Sequence, residues 1–192
     1  MAFSDCVVRV CFLDSPWRLG ALYWELSALA TAQAELAKDG IFLRGGMTAG
    51  EIWCDGSNAF GPALVRAHEL ESVLTDWPRI IVDDCVLDHH QSVPALQGDA
   101  HDLARDKQYI EALIRRDDVN CAFVDYVGGV KEDFEADGLY EDWLRSHKLA
   151  VASALSVASD VKIQHKYRRL ANYHNQVVVE NFDQDAAHLR IA

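Results

Sequence analysis

The chain has 192 residues, half of them apolar and a quarter charged, which suits one folded domain with a substantial core and excludes a disordered composition. Its formal net charge of −12 excludes a general nucleic-acid surface, because no basic field is available to displace counterions. A local arginine or a divalent ion still suffices for a small phosphate ligand. No apolar run approaches membrane-spanning length and no basic segment leads into an apolar one at the start, so the reading is of a cytoplasmic protein without membrane insertion. The cysteines at 6, 11, 54, 85 and 121 are odd in number and form no CxxC pair, which predicts buried free thiols in a reducing compartment.

In chain order, DCVVRVCFL (Asp5 to Leu13) is β-branched and apolar and predicts a buried strand. Ser15-Pro16 breaks it, and Leu19, Leu22, Leu26, Leu29 and Leu36 recur at helical spacing up to Lys38. Asp39-Gly40 ends that helix, and a second long strand is predicted from Ile41 to Cys54. The turn Asp55 to Asn58 leads into a helix opening at Gly61-Pro62, with Ala63, Leu64, Ala67, Leu70 and Leu74 on one face. Trp77-Pro78 stops it before a short buried strand, Arg79 to Asp83. Polar residues from Asp88 to Asp99 predict a loop, DLARDKQYIEALIRRD a helix, and CAFVDYV another strand. Two helices finish the chain, about Leu139 to Ser159 and Val161 to Asn181. This order predicts an α+β or α/β protein with helices packed on one sheet. The simplest partition is a core over 1–135 and a helical extension over 136–192 packed on it.

The stretch LRGGMTAGEIWCDGSNAFGPALVRAHELES is the most specific in the chain. Its pieces Arg44-Gly45-Gly46-Met47-Thr48-Ala49-Gly50, Phe60-Gly61-Pro62-Ala63 and Glu69-Leu70-Glu71-Ser72, followed by PRIIVD, resemble the second half of a class III nucleotidyl cyclase catalytic domain. With FSD at the start, VDYV at Val124 to Val127 and YRRLANYHN at Tyr167 to Asn175, the resemblance is closest to the bacterial pyrimidine cyclases of Pycsar antiphage defence. It runs from Phe3 to Asn175. It implies a ferredoxin-like class III cyclase fold of the α+β class, and conversion of CTP or UTP to a 3′,5′-cyclic mononucleotide as an antiphage signal. It also implies a homodimer with interfacial active sites and a two-metal site for Mg²⁺ or Mn²⁺.

Cyclisation needs little covalent work from protein groups; positioning and charge neutralisation dominate, and carboxylate-held divalent ions suit the task. The resemblance assigns Asp5 to a metal, against the plainer role of capping a strand end. The partner carboxylate is implied on a strand before Met1, so the resemblance marks the N-terminus as a cut edge. Asp14 is set aside, because the long helix after it leads straight into RGGMTAG, the family order after the later aspartate. Where the family places Asn and then Arg on the Gly-led helix, this chain has Val65 and Glu69, which can do neither job. Arg66, one residue on, is the nearest phosphate-stabilising candidate; otherwise it is a solvated arginine paired near Glu69 or Glu71. Asn58 falls at the base-selecting position, or serves its turn backbone. Arg44 contacts phosphate or forms a surface ion pair.

Two other stretches tempt. DDCVLDHHQ gathers carboxylates, a thiol and two imidazoles, but adjacent histidines on a helix diverge by about 100° and no second element completes a zinc set. HKYRRLANYHN is locally basic and is read as a helix docking on the acidic body or a dimer mate, with Trp143, Tyr167 and Tyr173 as packing residues. Two further readings are kept: a catalytically inactive cyclase-like module that binds a nucleotide or partner, favoured by Val65 and Glu69, and a purely structural dimerisation domain.

Overall fold

The computed structural model describes residues 2–3, 6–12, 20–56, 58–93, 97, 102–182 and 184–192. Its centre is a four-stranded mixed sheet of β3 (Gly45–Met47), β6 (Ile80–Val82), β8 (Ala122–Val124) and β7 (Ile114–Arg116), in that spatial order. β3 and β6 are parallel, while β6–β8 and β8–β7 are antiparallel. Six α-helices accompany it among the described residues: α1 (Ala21–Lys38), α2 (Pro62–Glu69), α3 (Asp84–Ser92), α4 (Leu103–Ala112), α5 (Asp137–Val157) and α6 (Val161–Asn181). The protein is therefore of mixed α/β composition, as the α+β reading expects.

The predicted first strand takes a different form. β1 (Ala2–Phe3) pairs with β2 (Cys6–Val7) in a separate antiparallel hairpin, Cys6 and Val7 are exposed, and residues 8–12 join no strand. An apolar run has no burial of its own; it needs a facing layer, and here Val8, Val10 and Cys11 are only half-buried, with Cys11 packed against the core, while Phe12 is exposed. The segment is instead tied to α1 by Arg9, whose Nε and Nη2 donate to the Glu25 carboxylate at 2.5 and 3.0 Å.

α1 buries Leu22 and Leu26 with Ala30, Ala34 and Ala37, so the inward stripe is finished by small residues rather than by Leu29 and Leu36. That lets another helix approach closely, and the Trp143 indole on α5 donates to the Ala34 carbonyl at 3.2 Å. α1 ends where Asp39-Gly40 predicts: Gly40 takes φ +74°, its N–H bonds Ala37 O, and the Ile41 N–H reaches back to Leu36 O. This pairing is a Schellman termination, which glycine adopts without strain.

The single strand expected over Ile41 to Cys54 is two strands in different sheets, β3 and β4 (Trp53–Cys54), the latter pairing with β5 (Ala59–Phe60). Between them the chain turns so that the Glu51 carbonyl accepts the Ala63 N–H, satisfying a donor that the start of α2 leaves free. α2 runs on as a π-helical turn, Leu70–Leu74. The wider turn buries Leu70 but leaves Leu74, expected on the inner face, 44% exposed. α3 occupies 84–92 and so takes in the start of the loop predicted from Asp88. The helix predicted through Asp117 stops at Ala112, because Ile114 to Arg116 gain cross-strand partners in Val124, Phe123 and Ala122. Asn120, at φ +64°, closes that hairpin over the Asp117 carboxylate, which accepts from the N–H groups of Val119 and Cys121.

α5 and α6 lie within one residue or two of their predicted bounds, and one buried cluster runs from the sheet (Phe123, Val124) through Tyr140 and Trp143 of α5 to Leu170 and Tyr173 of α6. α6 docks on the chain's own body, with Arg169 paired to Asp76 and Tyr173 buried against Trp77 and Phe123. Two polar networks cross this core. In the first, Asp125 accepts from Tyr173 (2.6 Å), Gly128 N (3.0 Å) and Arg115 (3.0 Å), and Arg115 also forks onto Glu180. In the second, Tyr126 meets His147 at 2.8 Å, His147 meets His174 at 3.0 Å, and His174 Nε2 meets the Leu189 carbonyl at 2.9 Å. The five cysteines are free thiols, but Cys6 is exposed and the other four are half-buried, so none is a deep core residue. Among the described residues no helix is long and apolar enough to cross a membrane.

Candidate functional site

Parallel strands β3 and β6 end side by side, and their carboxyl ends are where open sheets place ligand-facing groups. The register Met47↔Val82 and the Asp83 N–H bonded to Met47 O (2.9 Å) bring Thr48 and Asp83 together. The Thr48 hydroxyl donates to Asp83 Oδ2 at 2.9 Å and lies 3.4 Å from Cys85 Sγ. Arg66 approaches from α2, donating from Nε to Oδ2 (2.8 Å) and from Nη2 to Oδ1 (3.1 Å) of the same carboxylate. A second acid, Glu69, lies 3.5 Å from Arg66 Nη1.

The closeness of α2 to β3 follows from Gly46. A Cβ there would lie 2.4 Å from the Ala67 carbonyl oxygen and 2.6 Å from Leu70 Cβ, so only glycine lets the helix seat on the strand. Gly61 starts the helix at φ +145°, and a Cβ there would meet Glu51 O at 2.7 Å. The two glycine-led motifs are thus one packing unit with Arg66 on its outer face.

Electrostatically the cluster is a self-neutralised pair. Arg66 holds the Asp83 carboxyl below its usual range, against partial burial, with help from the Thr48 hydroxyl and Cys85; Asp83 in turn holds the Arg66 guanidinium firmly protonated. An anion must compete with Asp83 for Arg66, and a cation must compete with Arg66 for Asp83.

The candidates from sequence fall apart in space. Arg44 precedes β3 and pairs with Glu71, at the end of the strand opposite to Thr48, roughly 13 Å away along an extended chain. Asn58 turns onto Asp55, its N–H donating at 2.8 Å and its amide at 3.2 and 3.3 Å, the backbone role of a turn asparagine. No hydrogen bond or ion pair joins any two of Arg44, Asn58 and Arg66 among the described residues. Asp5 and Asp14 lie outside those residues. The described side chains include no group of three or more His, Cys, Asp or Glu suited to hold a metal, and DDCVLDHHQ forms none. Asp83 was missed as a site residue; the signal was its place directly after a buried strand.

No protein-family model, curated protein or solved structure matches this chain.

Proposed function

We propose that the chain is a nucleotidyl cyclase domain of the pyrimidine-cyclase kind, turning CTP or UTP into a 3′,5′-cyclic mononucleotide and pyrophosphate as an antiphage signal. In that reaction the 3′-oxygen bonds to the α-phosphorus, the bond to the bridging oxygen of the β-phosphate breaks, and the 3′-hydroxyl proton passes to solvent. The observation that supports the reading most is the unit formed by RGGMTAG, FGPA, HELES and PRIIVD: four stretches that resemble one family pack into one strand–helix–strand element in which Gly46 and Gly61 sit where a side chain would clash. Arg66 is the phosphate-stabilising candidate on its rim, and release from Asp83 is a condition of that role. Asp5 is the residue assigned to a divalent ion. The stacked pair Trp53–Phe60, with ring centroids 4.7 Å apart and both rings largely exposed, supplies apolar surface for a second copy, as does Val65, 60% exposed on the adjoining helix.

A second reading has its own observation. Arg66 is already bound by a carboxylate, and Val65 and Glu69 face solvent where the resemblance expects catalytic side chains. This favours an inactive cyclase-like module that binds a nucleotide or serves dimerisation. Incubating the protein with CTP, UTP, ATP and GTP in the presence of Mn²⁺, with product read by mass spectrometry, separates the two. A cyclic product that Asp5→Asn abolishes is expected for the first reading. Saturable nucleotide binding without product moves the conclusion to the second, and the lack of both removes nucleotides from the account.

A further inference from the structure

Carboxylates outnumber lysine and arginine thirty to eighteen in this chain, and among the described arginines one without an acid partner is the exception. Nearly every described arginine is engaged by a carboxylate, or by the Tyr109 hydroxyl in the case of Arg105. The two that are not, Arg168 and Arg190, line the same groove, of about 520 Å³, between α5, α6 and the last residues of the chain. Lys148 lines it too. Its ammonium donates once, to the His188 carbonyl at 2.8 Å, and keeps two further donors. Arg190 Nε is shut off from solvent with no hydrogen-bond partner, although a buried donor ordinarily has one. Leu155, Ala152 and Ile191 form an apolar wall beside these cations.

We propose that this groove is an anion site for a small phosphoester of about nucleotide size. Its phosphate would be held by Arg168, Arg190 and Lys148, and its apolar or ring portion would lie on Leu155 and Ile191. Three cations around one hollow match a multiply charged group, and planar guanidinium forks match phosphate oxygens in particular. A nucleic-acid strand is disfavoured: the surface beyond the groove belongs to a protein of net charge −12, which repels an extended polyanion. The groove lies on the two C-terminal helices and involves neither Arg66 nor Asp83, so the inference stands apart from the proposed cyclase reaction.

The test is calorimetric titration of the full chain with uridine monophosphate at low ionic strength and without divalent ions. One saturable site is expected. Arg168→Glu, a change at an exposed position, weakens it at least roughly tenfold, the scale of one lost charge-assisted hydrogen bond. Arg145→Glu, at a cation of α5 already paired with Glu141, leaves it unchanged. Inorganic phosphate competes with the nucleotide in the unsubstituted protein. Absence of saturable binding, binding retained in Arg168→Glu, or an equal loss in Arg145→Glu would overturn the proposal. Binding that survives in Arg168→Glu would place the nucleotide elsewhere on the chain.

Discussion

Two arginine–carboxylate pairs show how surroundings, rather than distance, set what a contact contributes. Arg66 meets Asp83 at 2.8 Å and Arg79 meets Asp117 at 2.7 Å. The Arg66 side chain is 46% exposed, so water screens its pair and holds the contribution to about 1 kcal/mol or less. The Arg79 side chain is 3% exposed, sandwiched 5.0 Å from the Trp77 ring and 5.3 Å from that of Phe123, and has no water to fall back on. Burial tends to raise the Asp117 carboxyl, but Arg79 and the N–H groups of Cys121 and Val119 outweigh it and hold it below its usual range. Asp117→Ala is therefore expected to cost about 3 kcal/mol in urea unfolding, because it leaves a buried guanidinium with only the longer contacts to Asp76 and the Leu74 carbonyl, both at 3.5 Å. A loss below about 1 kcal/mol would show that Arg79 finds another partner. Residue types at this scale were legible, since Arg66 was singled out from its motif. Its partner was not, since Asp83 lies seventeen residues further along and only the β3–β6 pairing brings it near.

At the scale of elements, the strand–helix contact that carries the functional proposal depends on one missing side chain. Gly46→Ala would drive a methyl group against the Ala67 backbone carbonyl, and backbone inside a helix cannot move aside as a flexible side chain can. Overpacking of this kind is expected to cost about 1–3 kcal/mol. Its neighbour is the control: at Gly45 a Cβ would meet Ile80 Cγ1 at 3.5 Å, ordinary contact, so Gly45→Ala stays within about 1 kcal/mol of the parent. Paired urea midpoints measure both, and equal effects would show that α2 does not seat on Gly46. The elements read well from sequence were those whose signals are local, such as α6 with Asp160 capping the N–H groups of Lys162 and Ile163. Those read badly were short strands. Ile114 to Arg116 continue a helical pattern in sequence, and only cross-strand partners six to ten residues away make them a strand.

For the whole molecule, the Tyr126–His147–His174–Leu189 chain ties the turn after β8, both C-terminal helices and the final 3₁₀ segment (Gln184–Leu189) together. The Leu189 carbonyl can only accept, so His174 carries its proton on Nε2; its Nδ1 then accepts from His147 Nδ1–H, and His147 Nε2 accepts from Tyr126. Every bond is made with both imidazoles neutral, so the chain needs no added proton. Burial pushes His147 well below the usual histidine range, with His174 beside it adding to the effect; burial lowers His174 too, helped by Lys148 and opposed by the Leu189 bond. His90 is lowered in the same direction by its burial. Above about pH 6.5 these rings are neutral in the folded and unfolded chains alike, and stability does not depend on them. As pH falls below that, the unfolded chain binds protons that the folded chain refuses. Stability is then expected to fall by up to about 1.4 kcal/mol per pH unit for each ring. Asp83, Asp117 and Glu180, held below the usual carboxylate range, add their own losses only in more acidic solution. Urea unfolding at pH 7.5, 6.5 and 5.5 checks this, and a flat profile over that range would contradict the neutral state of the buried rings.

The sequence by itself determined the features whose causes lie within a turn or two of chain. These are the Schellman end of α1 at Gly40, the Pro-led start of α2 and the bounds of α5 and α6. Tertiary structure alone decided where the apolar opening run lies, which acids meet which arginines, and that His147 and His174, twenty-seven residues apart, share a hydrogen bond. The reason is physical. Periodicity and caps are set by neighbours along the chain, whereas burial, ion pairing and strand formation require a partner whose position is fixed only once the sheet and its helices have packed.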